Sequence, residues 1–233
     1  MAARWVECAN FPDGHPLREV EFLHRQMNEE VDSLECSAAS LRDFPEAPWD
    51  LRMSLARQCA DEARHAAMFR RFFERRGGHL GQYPVLNFQY RIVAQIRSLV
   101  GRLAIQNRSF EAGGLDAIAY GIEHARQGGD EEMVELFEAQ RADEISHVRF
   151  ANDWINAATR QNARNVLEIG IALAGASKAF RQVMGSEGTE GVSYAADFAA
   201  RREAGFTDEE VGLAVQLQSQ PAGRSALETP RRG

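Results

Sequence analysis

The chain has 233 residues, 44% of them hydrophobic and 26% charged, with a formal net charge of −7. That length supports one large domain or two small ones with a sizeable core, and the acidic balance argues against a nucleic-acid-binding surface. Cys8, Cys36 and Cys59 are widely spaced and form no Cys-x-x-Cys pair, which argues against a disulfide framework or a thiolate zinc site.

They read as packing residues of a reducing cytoplasm, the expected location. The opening "MAARWVECANFPDGHP" lacks the apolar run of a secretion signal. No later stretch reaches the roughly 20 apolar residues that a membrane span needs.

Residues 1–16 read as an N-terminal extension and 17–220 as one helical domain. Apolar residues at three- and four-residue spacing predict a first helix over 17–43, with Leu23, Met27, Val31, Leu34 and Leu41 on its stripe. After the turn "FPEAPWD", a second helix over 49–76 carries Leu51, Leu55, Phe69 and Phe73. A connection at 77–88 leads to a third, long helix over 86–127, with Ile92, Leu103, Phe110, Ile118 and Ile122. The turn "RQGGD" leads to a fourth over 130–160, carrying Met133, Phe137, Val148 and Ile155. A fifth, 163–183, is apolar nearly all round and is expected to pack against the others. Thr207 is a natural N-cap for a short last helix, and 221–233 is expected to be disordered. Strand signals are thin, Trp49 and Trp154 read as core packing, and the short turns make two antiparallel hairpins. The expected fold class is all-α: a four-helix bundle with a longer middle connection and additional C-terminal helices.

The stripes have polar gaps. "ADEARHAAMF" at 60–69 and "ADEISHVRF" at 142–150 both place a His three residues after a Glu, on one helical face. Glu62 and His65, and Glu144 and His147, stand where the stripes call for core residues. Glu30 and Glu111 do the same on the first and third helices. Four buried carboxylates without a counter-charge are too costly to form by accident. At about 1.5 Å per residue, Glu30 comes level with Glu62 across the first hairpin, and Glu111 with Glu144 across the second. The separations are 32 and 33 residues, so each half reads as Glu, a long gap, then Asp-Glu-x-x-His.

The 23 Glu and 6 His predict about 0.6 Glu-x-x-His pairs by chance, and three occur. Glu21-x-x-His24 lies about two and a half turns from Glu30 and is read as the chance match. Glu35 is the rival to Glu30, and Asp116 the weaker rival to Glu111. Two divalent ions would neutralise the four carboxylates, to which two neutral imidazoles add no charge, and the mixed oxygen and nitrogen donors suit iron or manganese.

These residues resemble the ferritin-like dinuclear metal carboxylate proteins, which include diiron oxygenases, ribonucleotide reductase small subunits, rubrerythrins and ferritins. One Glu from each of two helices and Glu-x-x-His from each of the other two is that arrangement. The likeness covers about 17–160, and "FPEAPWD" is also similar to bacterial ferritin-like proteins of unassigned function. It implies that Glu30, Glu62, His65, Glu111, Glu144 and His147 bind two metal ions, with Glu62 and Glu144 bridging. Asp61 and Asp143 would each accept the ring N–H of the opposite His, with Arg64 in support. Ser146 stands where the second half would repeat Arg64. Relatives with a seventh ligand His carry it where Gln140 stands, and Gln58 holds the same place in the second helix.

The resemblance implies a non-haem diiron, or manganese–iron, oxidase or oxygenase. It would use O₂ to hydroxylate, N-oxygenate or desaturate a small organic molecule, with an electron donor and a homodimer as further expectations. Ala112, Gly113 and Gly114 follow Glu111 and take bulk away beside it, and the two glycines fit a substrate or O₂ access cavity, a distorted turn, or tight helix packing equally. The alternatives are a metal-binding, peroxide-scavenging protein without an organic substrate, and a scaffold with a structural metal.

Overall fold

The computed structural model describes residues 1–12, 14–189 and 195–212, and all regular structure among them is helical. The expected disordered tail and most of the expected last helix lie outside these residues. A first hairpin pairs α1 (Arg18–Asp43) with α2 (Trp49–Arg75). After α3 (Phe88–Val93) and α4 (Leu99–Ile105), a second pairs α5 (Ala112–Gly128) with α6 (Glu131–Gln161). Helix α7 (Arg164–Thr189), interrupted at Gly185, packs on α4, and α8 (Phe198–Glu203) lies against α5 and α6.

The helix ends follow from local chemistry. Glu19 and Glu21 in the first turn of α1 and Arg42 in its last turn complement the helix dipole. Gly129 takes a left-handed φ of 70°, which ends α5 and allows the tight turn into α6. Asp130 then caps α6, its side chain accepting from Met133 N at 3.2 Å. Residues 208–212 are helical, and Thr207 Oγ1 accepts from Glu210 N at 3.2 Å, as the N-cap reading expects.

The third predicted helix is the main correction. Instead of one run over 86–127 there are α3, an irregular stretch, α4, a π-helical segment Gln106–Glu111, and α5. Buried Asp32, on α1, fixes the start of α3 by accepting Gln89 N at 2.8 Å and Tyr90 N at 2.9 Å, which caps that helix from another one. Burial holds Asp32 at about 7 despite those two amides. Ser98 is extended, and Arg102 Nε donates to Ile96 O at 2.9 Å where α3 has ended. Where the helix widens, Ser109 Oγ donates to Ala104 O at 2.9 Å.

Two smaller expectations also fail. Trp49 starts α2 and is 68% exposed, so it is not core, whereas Trp154 is partly buried against the core cluster that includes Leu51, Leu55, Leu103 and Ile155. Val31 turns outward, off the α1 stripe. Helix α7 buries Ala172 and Ala176 against Ile92, Val93 and Ile105, but leaves Leu167 and Ile171 exposed on its other face. Among the described residues no helix is long and apolar enough to cross a membrane.

The core has two apolar layers. One joins Leu23, Phe69, Phe73, Ile118, Ile122 and Phe137; the other joins Leu51, Leu55, Val100, Leu103, Ala151 and Ile155. Along α1, α2, α6 and the run from α4 through α5, the Glu and His residues fall between these layers, in the middle of the molecule.

Asp32→Ala strands two backbone N–H groups and removes the α3 cap, so it is expected to destabilise by about 1–3 kcal/mol. Urea unfolding checks this, and an unchanged midpoint contradicts the role given to Asp32.

Candidate metal centre

All six predicted ligands are buried and converge. Ligand atoms of Glu30, Glu62, His65 and Glu144 lie within 4.8 Å of one another, and so do those of Glu62, Glu111, Glu144 and His147. Glu62 and Glu144 are common to both groups. Each group thus has one His, one Glu of its own and the two shared carboxylates, as expected for two ions bridged by Glu62 and Glu144. The imidazole centroids are 6.4 Å apart.

The two histidines present the same atoms in the same way. Nδ1 of His65 lies 3.1 Å from Glu30 Oε2 and 3.4 Å from Glu144 Oε1, and Nδ1 of His147 lies 3.0 Å from Glu144 Oε2. Their Nε2 atoms face away from the cluster. His65 Nε2 is 3.1 Å from Asp143 Oδ2, and His147 Nε2 is 3.2 Å from Asp61 Oδ2. His147 first, then Arg64, holds Asp61 down at about 2, so it is an ionised acceptor for the ring N–H. That contact fixes the tautomer that leaves Nδ1 free to bind a cation. Arg64 joins both acids, donating to Asp61 Oδ1 at 2.9 Å and to Asp143 Oδ2.

A layer of neutral polar groups supports the carboxylates. Gln58 Nε2 donates to Glu62 Oε1 at 3.0 Å and Glu111 Oε1 at 3.1 Å. Gln140 Nε2 donates to Glu30 Oε1 at 2.8 Å. Ser33 Oγ lies 2.9 Å from Glu62 Oε1 and 2.5 Å from Glu111 Oε1. Asn107 Nδ2 donates to Gln58 Oε1 at 2.9 Å, and Gln106 Nε2 to Ser37 Oγ at 2.7 Å.

The sequence reading assigned none of these five a role, although a signal for the two glutamines was present. The motif extends to Gln-x-Ala-Asp-Glu-x-x-His in both halves, "QCADEARH" at 58–65 and "QRADEISH" at 140–147. Each Gln reaches the terminal Glu of the opposite hairpin, just as each Asp reaches the opposite His.

The remaining candidates separate cleanly. Glu35 is exposed, so the α1 position belongs to Glu30. Asp116 is buried but is taken by Arg201, at 2.6 Å, and by Asp197 N, at 2.8 Å. Glu21 and His24 are buried beside Arg18 and Tyr83 and belong to neither four-residue group. His124 is exposed and stacks on Tyr120. A Cβ built on Gly113 or Gly114 meets nothing within 4 Å, so tight packing does not explain these glycines. The distorted turn expected beside them exists just upstream, as the π-helical segment that ends at Glu111.

The electrostatics show what the cluster lacks. Burial, and then repulsion from Glu62 and Glu144, raise Glu30 well above the usual carboxylate range against its contact with His65. Burial and the charges of Glu144 and Glu62 do the same to Glu111. Burial opposes a charged His147, but Glu144 and Asp61 outweigh it and push the ring up to about 10. His65 is likewise raised, with Glu144, Glu30 and Glu62 overcoming burial. Without another cation, protons must supply the missing positive charge. Glu62 Oε2, fully buried, has no hydrogen-bond partner at all. An orphaned carboxylate oxygen among inward-facing imidazole nitrogens fits a site that could hold a metal ion.

Metal loading must therefore displace protons from the two imidazoles and from Glu30 and Glu111. Affinity for Co(II) is expected to rise with pH up to about 10, where His147 gives up its proton, with protons released on loading. Titration in weak buffer with a pH indicator checks this; a pH-independent affinity without proton release contradicts it.

No curated protein and no solved structure matches the chain. A family model described as "Protein of unknown function (DUF455)" matches residues 8–212. That span contains every residue of the cluster and of the layer around it, and the chain belongs to this family.

Proposed function

We propose that the chain is a ferritin-like dinuclear metal protein that uses O₂ to oxidise a small organic molecule. In this reading α1, α2, α6 and the run from α4 through α5 form the four-helix bundle, and α7 and α8 are its additions. One observation carries the proposal: two four-residue groups of Glu and His share Glu62 and Glu144 at the centre of the molecule. Such a site holds two ions close enough to act together.

Glu30 and His65 would hold one ion, Glu111 and His147 the other, with Glu62 and Glu144 between them. An iron pair, or manganese with iron, would supply the electrons that activate O₂ and oxidise the substrate. The protein's own part is defined by its contacts. Asp61 and Asp143 keep the ring protons on Nε2, so Nδ1 stays available. Gln58, Gln140 and Ser33 hold the carboxylates by hydrogen bonds that stay compatible with neutral pH. The two apolar layers keep bulk water from both ends of the cluster, which strengthens every charge interaction inside it. An electron donor for repeated turnover, a homodimeric assembly and a cytoplasmic location complete the proposal.

The test is O₂ uptake by the Fe(II)-loaded chain with a panel of small amines, aromatics and acyl compounds. Sustained uptake that depends on one compound class, with an oxidised product by mass spectrometry, is the expected result. Peroxide consumption that no organic compound alters would favour the scavenging alternative. No O₂ consumption by the loaded chain would contradict the redox reading and leave a structural metal.

A further inference from the structure

The two halves repeat beyond the metal motif. Residues 30–35 read "EVDSLE" and 111–116 read "EAGGLD", so each ligand Glu is followed by a Leu four residues on and an acid five residues on. In this alignment Ser33 corresponds to Gly114. Both stand three residues after a ligand Glu, on the same helical face as that ligand.

The structure treats the two positions oppositely. Ser33 is buried, and its hydroxyl fills the space between Glu62 and Glu111. The repeat that relates the halves exchanges Glu62 with Glu144 and Glu111 with Glu30. The counterpart of the Ser33 hydroxyl would therefore lie between Glu144 and Glu30, beside His65. Gly114 has no side chain to put there, is only half-buried, and would meet nothing within 4 Å if it had a Cβ. Gly113 next to it is exposed. The orphaned Glu62 Oε2 faces this half too, 3.5 Å from His65 Nδ1.

We infer that a small external ligand reaches the metal pair beside Gly114, on the Glu30–His65–Glu144 side, and that Ser33 closes the equivalent position on the Glu111–His147 side. This rests on the two-metal reading above and adds a direction to it. The two ions would be unequal: similar in their protein donors, but with only the first open to a ligand. The ligand class is a small molecule with one donor atom at its end, of the size of dioxygen or azide. A bulky substrate would have to react from outside the Gly113–Gly114 edge.

The experiment uses the full chain loaded with Co(II), with azide as the probe. Bound cobalt is counted by atomic absorption, and azide binding is followed by the cobalt visible spectrum. Wild type is expected to hold two cobalt ions and one azide per chain. Gly114→Ser and Gly114→Val should keep both cobalt ions and weaken azide at least about tenfold, because the added atoms occupy its place. Gly114→Ala replaces a helix-interior glycine by the best helix former, so it keeps the test available should the larger variants fold poorly. Ser33→Gly should admit a second azide per pair of bound cobalt ions, with the cobalt counted in the same sample. Unchanged azide affinity in the Gly114 variants, with two cobalt ions bound, would overturn the inference while leaving the metal reading intact. Fewer than two cobalt ions in wild type would overturn the metal reading itself.

Discussion

The structure depends on one electrostatic constraint: four carboxylates and two imidazoles are packed between two dry, apolar layers. Four buried anionic groups at this separation repel strongly, and an isolated buried carboxylate would neutralise itself rather than stay charged. The raised Glu30 and Glu111 and the raised imidazoles are that response in the absence of another cation. The groups immediately around the cluster fit a charged cluster that could hold a metal ion. Asp61 and Asp143 stabilise positive charge at the rings, and Arg64 balances those acids on the outside. Gln58 donates to Glu62, Gln140 to Glu30 and Ser33 to Glu111.

The second organising feature is near-symmetry. Each hairpin supplies a Glu from one helix and Gln-x-Ala-Asp-Glu-x-x-His from the other, and the supporting contacts cross between hairpins. Crossed contacts tie the hairpins together at the level of the site, where apolar packing is interrupted. The departures from symmetry are as informative as the repeat. Helix α1 runs unbroken through Glu30, while Glu111 ends a π-helical segment. Arg64 has only Ser146 opposite it, and Ser33 only Gly114. Departures of this kind give the two similar four-residue groups different surroundings.

Much of this was legible in the sequence because burial and helical spacing are strong constraints. A Glu-x-x-His pair on a stripe of Leu and Phe must face the core, and hairpin arithmetic then brings the pairs level. Glu30 over Glu35 followed from the same stripe. Gln58 and Gln140 were visible at core positions, but read only as places where a ligand His is missing. Their repeated spacing carried the missing information. Ser33 gave no signal, because a small residue on a helix stripe is compatible with plain packing.

The breaks between α3 and α5 were illegible for a different reason. The apolar spacing persists through 86–127, and the breaks come where Arg102, held by Asp43 of α1, reaches Ile96 O, and at the widened turn Gln106–Glu111, where Gln106 and Asn107 donate to Ser37 and Gln58. Tertiary contacts override local propensity there. Trp49 misled because it begins its helix, where the stripe has not yet met a partner.

The most direct measurement of the central claim is an anaerobic titration of the metal-free chain with Fe(II), counting bound ions for wild type, Glu30→Gln and Glu62→Gln. The account predicts two ions per wild-type chain. Glu30→Gln, which alters a ligand of one group only, should keep one tight ion, and Glu62→Gln, shared by both groups, should weaken both. A wild-type chain that binds one ion or none, or a Glu62→Gln chain that binds two as tightly as wild type, would contradict it.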